Sequence, residues 1–257
     1  MKTKYLFGAL MAVMATSCTA KTNDPAAPQS GKTAVVYFSK TVPDGVDATT
    51  GATPVVNYNG KQMGATQYVA TLVAEQTGAD IQRITVADDH YPVEYNALAD
   101  VAKAERDNNE HPALTSTHDL SGYDNIILGM PVWWYTMPMP VYSFLDMVDL
   151  SGKNVYVFTT HEGSGLNGTP GRVQDVEPDA LVSSDGWASR GGQVQQNAST
   201  LTGWLQRLGL YKEQTSAVEN ITEQTPANVP SYNLLGQRVS SAYRGIIIQN
   251  GQKQLIQ

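Results

Sequence analysis

The sequence has little of several features that mark common functional classes. Its single cysteine leaves no disulfide within the chain, and its four histidines show no paired metal-ligand spacing, so His90, His111 and His118 are interpreted as surface residues. The net charge of −7 gives no electrostatic case for binding nucleic acid. No apolar run reaches the roughly 18 residues that a membrane-spanning helix needs.

Two catalytic motifs are absent from the positions where they would function. The Gly-x-Gly-x-x-Gly of this chain, at residues 163–168, lies in the loop after the fourth predicted strand and not after the first, so nothing marks a nicotinamide site. Ser39 lacks the Gly-x-Ser-x-Gly turn of a nucleophilic serine, which makes hydrolysis a poor hypothesis.

The amino-terminal segment, residues 1–17, is typical of an export signal. Lys2 and Lys4 precede an apolar run at 6–15, and small residues lead into Cys18. The pattern resembles a bacterial lipoprotein signal, which predicts a lipid on Cys18, a place in the cell envelope and membrane contact through that anchor only. A plain secretory signal with an incidental cysteine is the alternative. Residues 18–32 are predicted to be a tether.

Residues 125–140 organise the rest of the chain. The apolar residues 126–128 indicate a buried strand, which Gly129 and Pro131 are expected to end. Beyond them stand two tryptophans and a tyrosine, in a segment that prolines keep irregular. Large flat side chains past a buried strand favour a flat ligand, and we hypothesise a flavin. Core aromatics under a loop remain the equal alternative.

Strand and helix patterns alternate along the main body. The predicted strands are residues 34–38, 81–86, 126–128, 155–158 and 180–182, and the predicted helices are 64–78, 95–108, 141–148, 168–176 and 193–208. This alternation predicts an α/β fold with a doubly wound parallel sheet. Ligands of such sheets bind at the carboxyl ends of the strands, so the loops after Phe38, Leu128 and Phe158 should converge.

Each of these loops gives a weak indication of ligand binding, and its residues also have an ordinary structural explanation. Hydroxyl residues follow Phe38, and Thr66 opens a helix whose free N–H groups would favour an anion, although Thr66 could simply cap that helix. The loop after Phe158 is glycine-rich and can present backbone N–H groups. His161 and Glu162 within it are interpreted either as an acid–base pair or as an ordinary exposed pair.

Two segments interrupt or follow the main body. Residues 42–63 form an insertion at the rim of the predicted site, with a hairpin turn at Asn59-Gly60, or alternatively a disordered bulge. Residues 212–229 are rich in Thr, Gln, Asn and Pro and are predicted to be a linker. Residues 230–257 are predicted to be a separate β-rich tail, with a turn at Asn250-Gly251.

At residues 33–211 the sequence resembles the flavodoxin-like proteins, and most of all the flavodoxin-type group of gut bacteria. The carrying segments are Val36-Tyr37-Phe38-Ser39, Gly64-Ala65-Thr66, Tyr91-Pro92-Val93-Glu94-Tyr95, Tyr123-Asp124-Asn125-Ile126-Ile127-Leu128-Gly129-Met130-Pro131-Val132-Trp133-Trp134, Phe144-Leu145 and Thr160-His161-Glu162-Gly163-Ser164-Gly165. The resemblance implies a five-stranded sheet in the order 2-1-3-4-5, with FMN at the point where the strand order reverses.

The resemblance also implies a set of cofactor contacts. The FMN phosphate would contact Ser39, Thr41, Gly64, Ala65, Thr66 and Gln67. The flavin ring would contact Pro131, Val132, Trp133, Trp134, Tyr135, Thr160, His161, Glu162, Gly163, Ser164 and Gly165. The chain departs from the family pattern where residues 42–63 split the phosphate loop, and where Ala65 replaces the usual Asn.

These expectations lead to an FMN protein of the cell envelope that transfers electrons or reduces a small molecule such as a quinone. Its redox partner or small-molecule electron acceptor is not specified by the sequence. A flavin-free binding or surface-interaction module on the same scaffold is the alternative. The tail, with its Tyr-Asn-x-x-Gly-Gln-x-Val opening, resembles carboxy-terminal modules of exported proteins, which implies sorting or surface attachment.

Overall fold

The computed structural model describes residues 30–40, 55–213, 230–240, 243–249 and 252–256. The predictions for the signal segment, for Cys18 and for Thr41 lie outside these residues, as do the first residues of the insertion. The chain divides into two units, Met1–Lys212 and Glu213–Gln257.

The first unit alternates strands and helices as predicted. Its strands are β1 (Thr33–Phe38), β2 (Val55–Tyr58), β3 (Lys61–Gly64), β4 (Asp80–Ile84), β5 (Asn125–Pro131), β6 (Asn154–His161), β7 (Leu181–Val182) and β8 (Trp187–Arg190). Its helices are α1 (Ala65–Thr77), α2 (Tyr95–Asn108), α3 (Met139–Leu145), α4 (Thr169–Val176) and α5 (Ala198–Arg207), with a 3-10 turn at Gly191–Gln193.

The parallel sheet has the strand order β4-β1-β5-β6-β7, with β8 also paired to β6. Numbered along the sheet's own strands, this is the predicted order 2-1-3-4-5, and the α/β fold class is confirmed. In register, Tyr37 of β1 lies beside Gly129 of β5, which lies beside Phe158 of β6. The carboxyl ends of the three central strands therefore share one edge.

Helices cover both faces of the sheet. Successive strand residues point to opposite faces, so each strand contributes side chains to two cores. Val36 and Leu128 contribute to one core, where α2, α3 and α4 pack. Val35 and Ile127 contribute to the other, where α1 and α5 pack. Trp204 of α5 is fully buried in the second core, as expected.

Local signals predicted several boundaries well. Helix α2 has the predicted bounds, because the Glu94 side chain accepts hydrogen bonds from the first-turn N–H groups of Asn96 and Ala97. Those bonds also lower the pKa of Glu94. The hairpin β2–β3 turns at Asn59 and Gly60, which both have positive φ.

Some element bounds were predicted wrongly, and one strand was missed. Gly129 lies inside β5 rather than ending it, since the backbone ladder continues through Met130 to Pro131. Helix α5 begins at Ala198 and not at residue 193, because a 3-10 turn precedes it. Strand β8 was not predicted at all. Its four residues are too short for their alternation to stand out from a loop.

The second unit forms a four-stranded antiparallel sheet in the order β10-β9-β11-β12. Its strands are β9 (Ser231–Asn233), β10 (Arg238–Val239), β11 (Gly245–Gln249) and β12 (Gln252–Ile256). The predicted turn at Asn250-Gly251 falls between β11 and β12 but outside the described residues. Within the described part of the chain, no helix has the length and apolar character to span a bilayer.

Candidate functional site

The amino end of α1 carries backbone donors, and its N-cap residue has no side chain to cap them. Gly64 is the N-cap residue, and the first turn of α1 contains no acidic residue. Thr66 does not cap the helix; its hydroxyl is hydrogen bonded to that of Thr160, 2.7 Å away on β6. The free N–H groups and the positive end of the helix dipole together favour an anion here.

Two further polar atoms at this edge of the sheet are buried without a hydrogen-bond partner in the described structure. They are Ser39 Oγ, directly after β1, and Gln67 Oε1 in the first turn of α1. Burying an unsatisfied polar atom is costly, so such atoms mark places where a ligand would be favourable. The Arg83 side chain donates to the Ser39 carbonyl oxygen at 2.6 Å and holds this residue in place.

The three predicted loops meet at the sheet edge. The Phe38 ring lies 5.4 Å from the Trp133 ring, edge to face, so the ends of β1 and β5 are in contact. The N–H of Val132 donates to the Thr160 carbonyl at 2.8 Å, which joins the loop after β5 to the end of β6. The Thr66–Thr160 bond brings in α1. Thr41 lies outside the described residues.

The two tryptophans after β5 have different environments. Trp133 is 8% exposed and packs edge to face against Phe38 and against Tyr91, whose ring is 5.3 Å away. Trp134 is 38% exposed and Tyr135 is 71% exposed. The core interpretation is therefore correct for Trp133, while Trp134 and Tyr135 form an exposed aromatic surface whose contact with a flavin stays a prediction.

Trp134 and Tyr135 occupy the centre of a tight turn with an uncommon backbone. Trp133 and Thr136 exchange two backbone hydrogen bonds, of 3.1 and 2.9 Å, and the φ angles between them are +48° and +61°. Positive φ at both central positions is typical of a type I′ turn, which favours Asn and Gly. The hairpin turn at Asn59-Gly60 follows that preference, whereas this turn stores strain in two aromatic residues.

Helix α2 and the chain after β6 hold this strained turn. The indole N–H of Trp134 donates to the Ala99 carbonyl at 2.8 Å, and the Arg106 guanidinium lies 5.3 Å from the centre of the Trp134 ring. The Asn167 side chain donates to the Tyr135 carbonyl. A turn fixed from two sides in a strained conformation indicates a functional requirement for its exposed rings.

Tyr135→Gly should therefore unfold less readily than Tyr135→Ala. Both substitutions remove the ring, but only glycine adopts the left-handed backbone without strain, so we expect a difference of about 1 kcal/mol in the free energy of unfolding. Urea denaturation of the two variants measures it. Equal midpoints in the two variants would show that the turn is unstrained.

A cleft of about 250 Å³ opens beside the turn. It is lined by Tyr95, Leu98, Ala99 and Ala102 of α2, by Val132 and the three aromatic residues that follow it, and by Glu162 and Ser164. Ser39 instead lines a smaller cavity of about 40 Å³ with Lys40 and Tyr91. Among the described residues, Ser39 and the predicted ring contacts therefore line separate cavities at the same edge.

The glycine-rich loop after β6 uses some of its own donors. The N–H of Gly163 donates to His161 Nδ1 at 2.8 Å, so it is not free for a ligand in this conformation. Because Nδ1 accepts a hydrogen bond, the ring proton of His161 is assigned to Nε2. Burial, and secondarily the positive charge of Arg190, lower the pKa of His161. Its neutral ring can therefore donate from Nε2.

Comparisons with known proteins decide the family. The family model described as Flavodoxin matches residues 55–207, more than half of the chain. The chain belongs to the flavodoxin family. The matched region of this flavodoxin begins at β2, so Ser39 and the start of the insertion precede it.

Solved structures similar to this chain come from bacteria. A candidate flavoprotein from Bacteroides eggerthii is 21% identical, with a TM-score of 0.53, over 70% of this chain and 98% of that one. A candidate flavoprotein from Bacteroides uniformis is 26% identical, with a TM-score of 0.49, over 65% and 97%. A Lactobacillus acidophilus flavoprotein in complex with FMN is 19% identical, with a TM-score of 0.47, over 65% and 98%. The first of these likenesses supports the fold. No curated protein matches the chain.

The sequence did not reveal the hydrogen bonds that hold Tyr91, the ring that packs against Trp133. The Tyr91 hydroxyl donates to the buried Glu105 carboxylate at 2.6 Å, and Nε2 of His90 lies 2.6 Å from the same carboxylate. Burial, and then the bond to Glu105, raise the pKa of Tyr91. The predicted surface histidines, His90 among them, are partly buried. The signal available in the sequence was a carboxylate, Glu105, on the predicted helix that follows Tyr91.

Proposed function

We propose that this protein binds FMN noncovalently and transfers electrons to a redox partner or to a small acceptor such as a quinone. FMN, once bound, supplies the electron-transfer chemistry, and the protein supplies binding and electrostatics. Family membership supports the cofactor. The observation that carries the proposal is that the uncapped amino end of α1, which Thr66 joins to β6, and the buried, unpartnered hydroxyl of Ser39 after β1 lie at the same edge of the sheet.

The residues at this edge fit the phosphate end of FMN. The first-turn N–H groups of α1, from Ala65 onward, are donors that a phosphate can accept from, and Ser39 adds a hydroxyl. Gln67 contributes an amide whose oxygen and nitrogen are interchangeable by rotation. No carboxylate occupies the first turn to repel the phosphate.

The aromatic turn and the glycine-rich loop fit the flavin ring. Trp134 and Tyr135 are exposed aromatic side chains in a turn held from both sides. Ser164 and Glu162 line the facing side of the same cleft. A cleft open at this edge leaves room for a flat acceptor beside the ring, which is the reason to include small molecules such as quinones among the acceptors.

Reconstitution tests the cofactor. Purified protein incubated with excess FMN and then freed of unbound ligand should retain the visible absorption bands of oxidised flavin. Protein that retains none would instead favour the flavin-free binding module. Reduction of the loaded protein, followed by reoxidation with a soluble quinone, separates a small-molecule reductase from a carrier that needs a protein partner.

We further propose that the protein is exported as a lipoprotein and anchored in the cell envelope through Cys18. The support is the charged and apolar segment before this only cysteine. The tail, by its sequence resemblance, would serve sorting or surface attachment. Cys18→Ser should move the protein from the membrane fraction to the soluble fraction; an unchanged membrane fraction would reject the anchor.

A further inference from the structure

Strand β8 places an arginine beside the glycine-rich loop, at a position that the sequence did not reveal. β8 runs parallel to the second half of β6, and its last residue, Arg190, lies in register with His161. His161 is the last residue of β6 and opens the loop predicted to contact the flavin ring. Arg190 therefore reaches the ligand edge of the sheet from the strand next to β6.

The guanidinium of Arg190 is held along the loop backbone. Its Nη1 donates to the Glu162 carbonyl oxygen at 2.7 Å. A methyl group built on Gly163 would lie 3.6 Å from Nη2, so the charged group passes beside that glycine. These contacts fix the position of the cation relative to the loop.

The positive charge of Arg190 lies beside the glycine-rich loop and has no carboxylate partner among the ion pairs of the described residues. His161, its neighbour, is neutral, since Nδ1 accepts the Gly163 N–H. The whole chain carries a net charge of −7, and the exposed side chain of Glu162 adds a negative charge to this loop. Arg190 supplies a fixed positive charge beside it, held at the Glu162 backbone.

The sign of that charge matters for a flavin. Oxidised flavin that takes up two electrons and one proton gains one negative charge. A nearby cation stabilises the charged product more than the neutral reactant, and its effect is partly screened because Arg190 is exposed. Differential stabilisation of the two redox states is a change in reduction potential.

We propose that Arg190 raises the reduction potential of FMN bound to this protein by placing a fixed positive charge on the loop that opens at His161. This inference rests on the proposed FMN binding. Arg190 acts on the ring through its charge, opposing the general effect of the acidic chain. Glu162 contributes through its carbonyl, which holds the guanidinium in place.

Three variants test the proposal. Arg190→Gln removes the charge but keeps a side-chain donor for the Glu162 carbonyl, and Arg190→Lys keeps the charge. Arg207→Gln is the matched control, because it removes an exposed positive charge that is paired with Asp185 away from the loop. The midpoint potential of each FMN-loaded protein is measured against a redox dye, with dithionite as the electron donor.

Arg190→Gln should weaken binding of reduced FMN relative to oxidised FMN by roughly threefold to tenfold, and tenfold corresponds to a shift of about 30 mV to more negative potential. Arg190→Lys should recover most of the shift, and Arg207→Gln should show little. In the protein without FMN, NMR should show a higher His161 pKa in Arg190→Gln than in the wild type.

The outcomes separate this inference from the proposed function. Wild-type protein that binds no FMN overturns both. Bound FMN with the same potential in wild type and Arg190→Gln overturns the tuning alone. A shift that Arg207→Gln reproduces in full, or one that Arg190→Lys does not recover, also overturns it, because the effect would then come from net charge or from loop structure.

Discussion

Gly129→Ala should lower the free energy of unfolding by about 3 kcal/mol, near the upper end for an overpacked core. Gly129 lies within β5 beside Phe158 of β6. A methyl group on Gly129 would overlap the ring of Phe158. The Phe158 side chain is fully buried. The ring cannot swing into solvent, so the sheet itself would have to shift. Urea denaturation should show a midpoint lower by about 1–2 M.

Gly122→Ala is the matched control for this prediction. A methyl group on Gly122 would meet no atom of a more distant residue within 4 Å, and Gly122 lies on the surface, so its substitution should change stability by no more than about 0.5 kcal/mol. Phe158→Leu in the Gly129→Ala background should recover part of the loss, because it removes the overlapping ring atoms. Equal stability of wild type and Gly129→Ala would mean that Phe158 does not cover Gly129.

FMN should bind this protein at least a hundredfold more tightly than riboflavin, which lacks the phosphate. The phosphate would accept charge-assisted hydrogen bonds from the first turn of α1 and from Ser39, each worth roughly 1.5–3 kcal/mol. A hundredfold corresponds to about 2.8 kcal/mol, which two such bonds supply. Fluorescence titration of both ligands measures the ratio. Equal affinities would remove the phosphate site from the proposal.

Ser39→Ala sharpens the same experiment. The Ser39 hydroxyl is buried without a partner in the described structure, so its removal should not destabilise the fold. FMN affinity should fall about tenfold while riboflavin affinity stays constant. Thr71→Ala is the control on α1, because the Thr71 hydroxyl bonds only its own helix, at the Gln67 carbonyl, and its loss should change neither affinity.

Local chemistry explains which elements could be predicted from the sequence. Helix α2 has a capping Glu94 at one end and a left-handed Asn109 at the other, so both ends are encoded nearby. The β2–β3 hairpin needs Asn59-Gly60 for its positive φ angles. In each case the residue that sets the end of the element lies within a few residues of that end.

Long-range partners explain the errors. Gly129 would end an isolated strand, but here the Phe158 ring fills the space above it and the ladder continues. Strand β8 exists because β6 is long enough to pair β7 at one end and β8 at the other. The sequence does not show which of the two adjacent tryptophans is buried, because Phe38 and Tyr91, which pack against Trp133, are distant along the chain.

The sequence alone determined the order of the elements, and with it the edge where Ser39, the aromatic residues after β5 and the glycine-rich loop meet. It could do so because apolar periodicity reports strands and helices locally, and parallel strands with crossover helices permit few arrangements. Only the tertiary structure decided that Trp134 and Tyr135 face outward, and that Arg190 lies beside His161. Those facts depend on side chains that distant segments bring into contact, which no local pattern records.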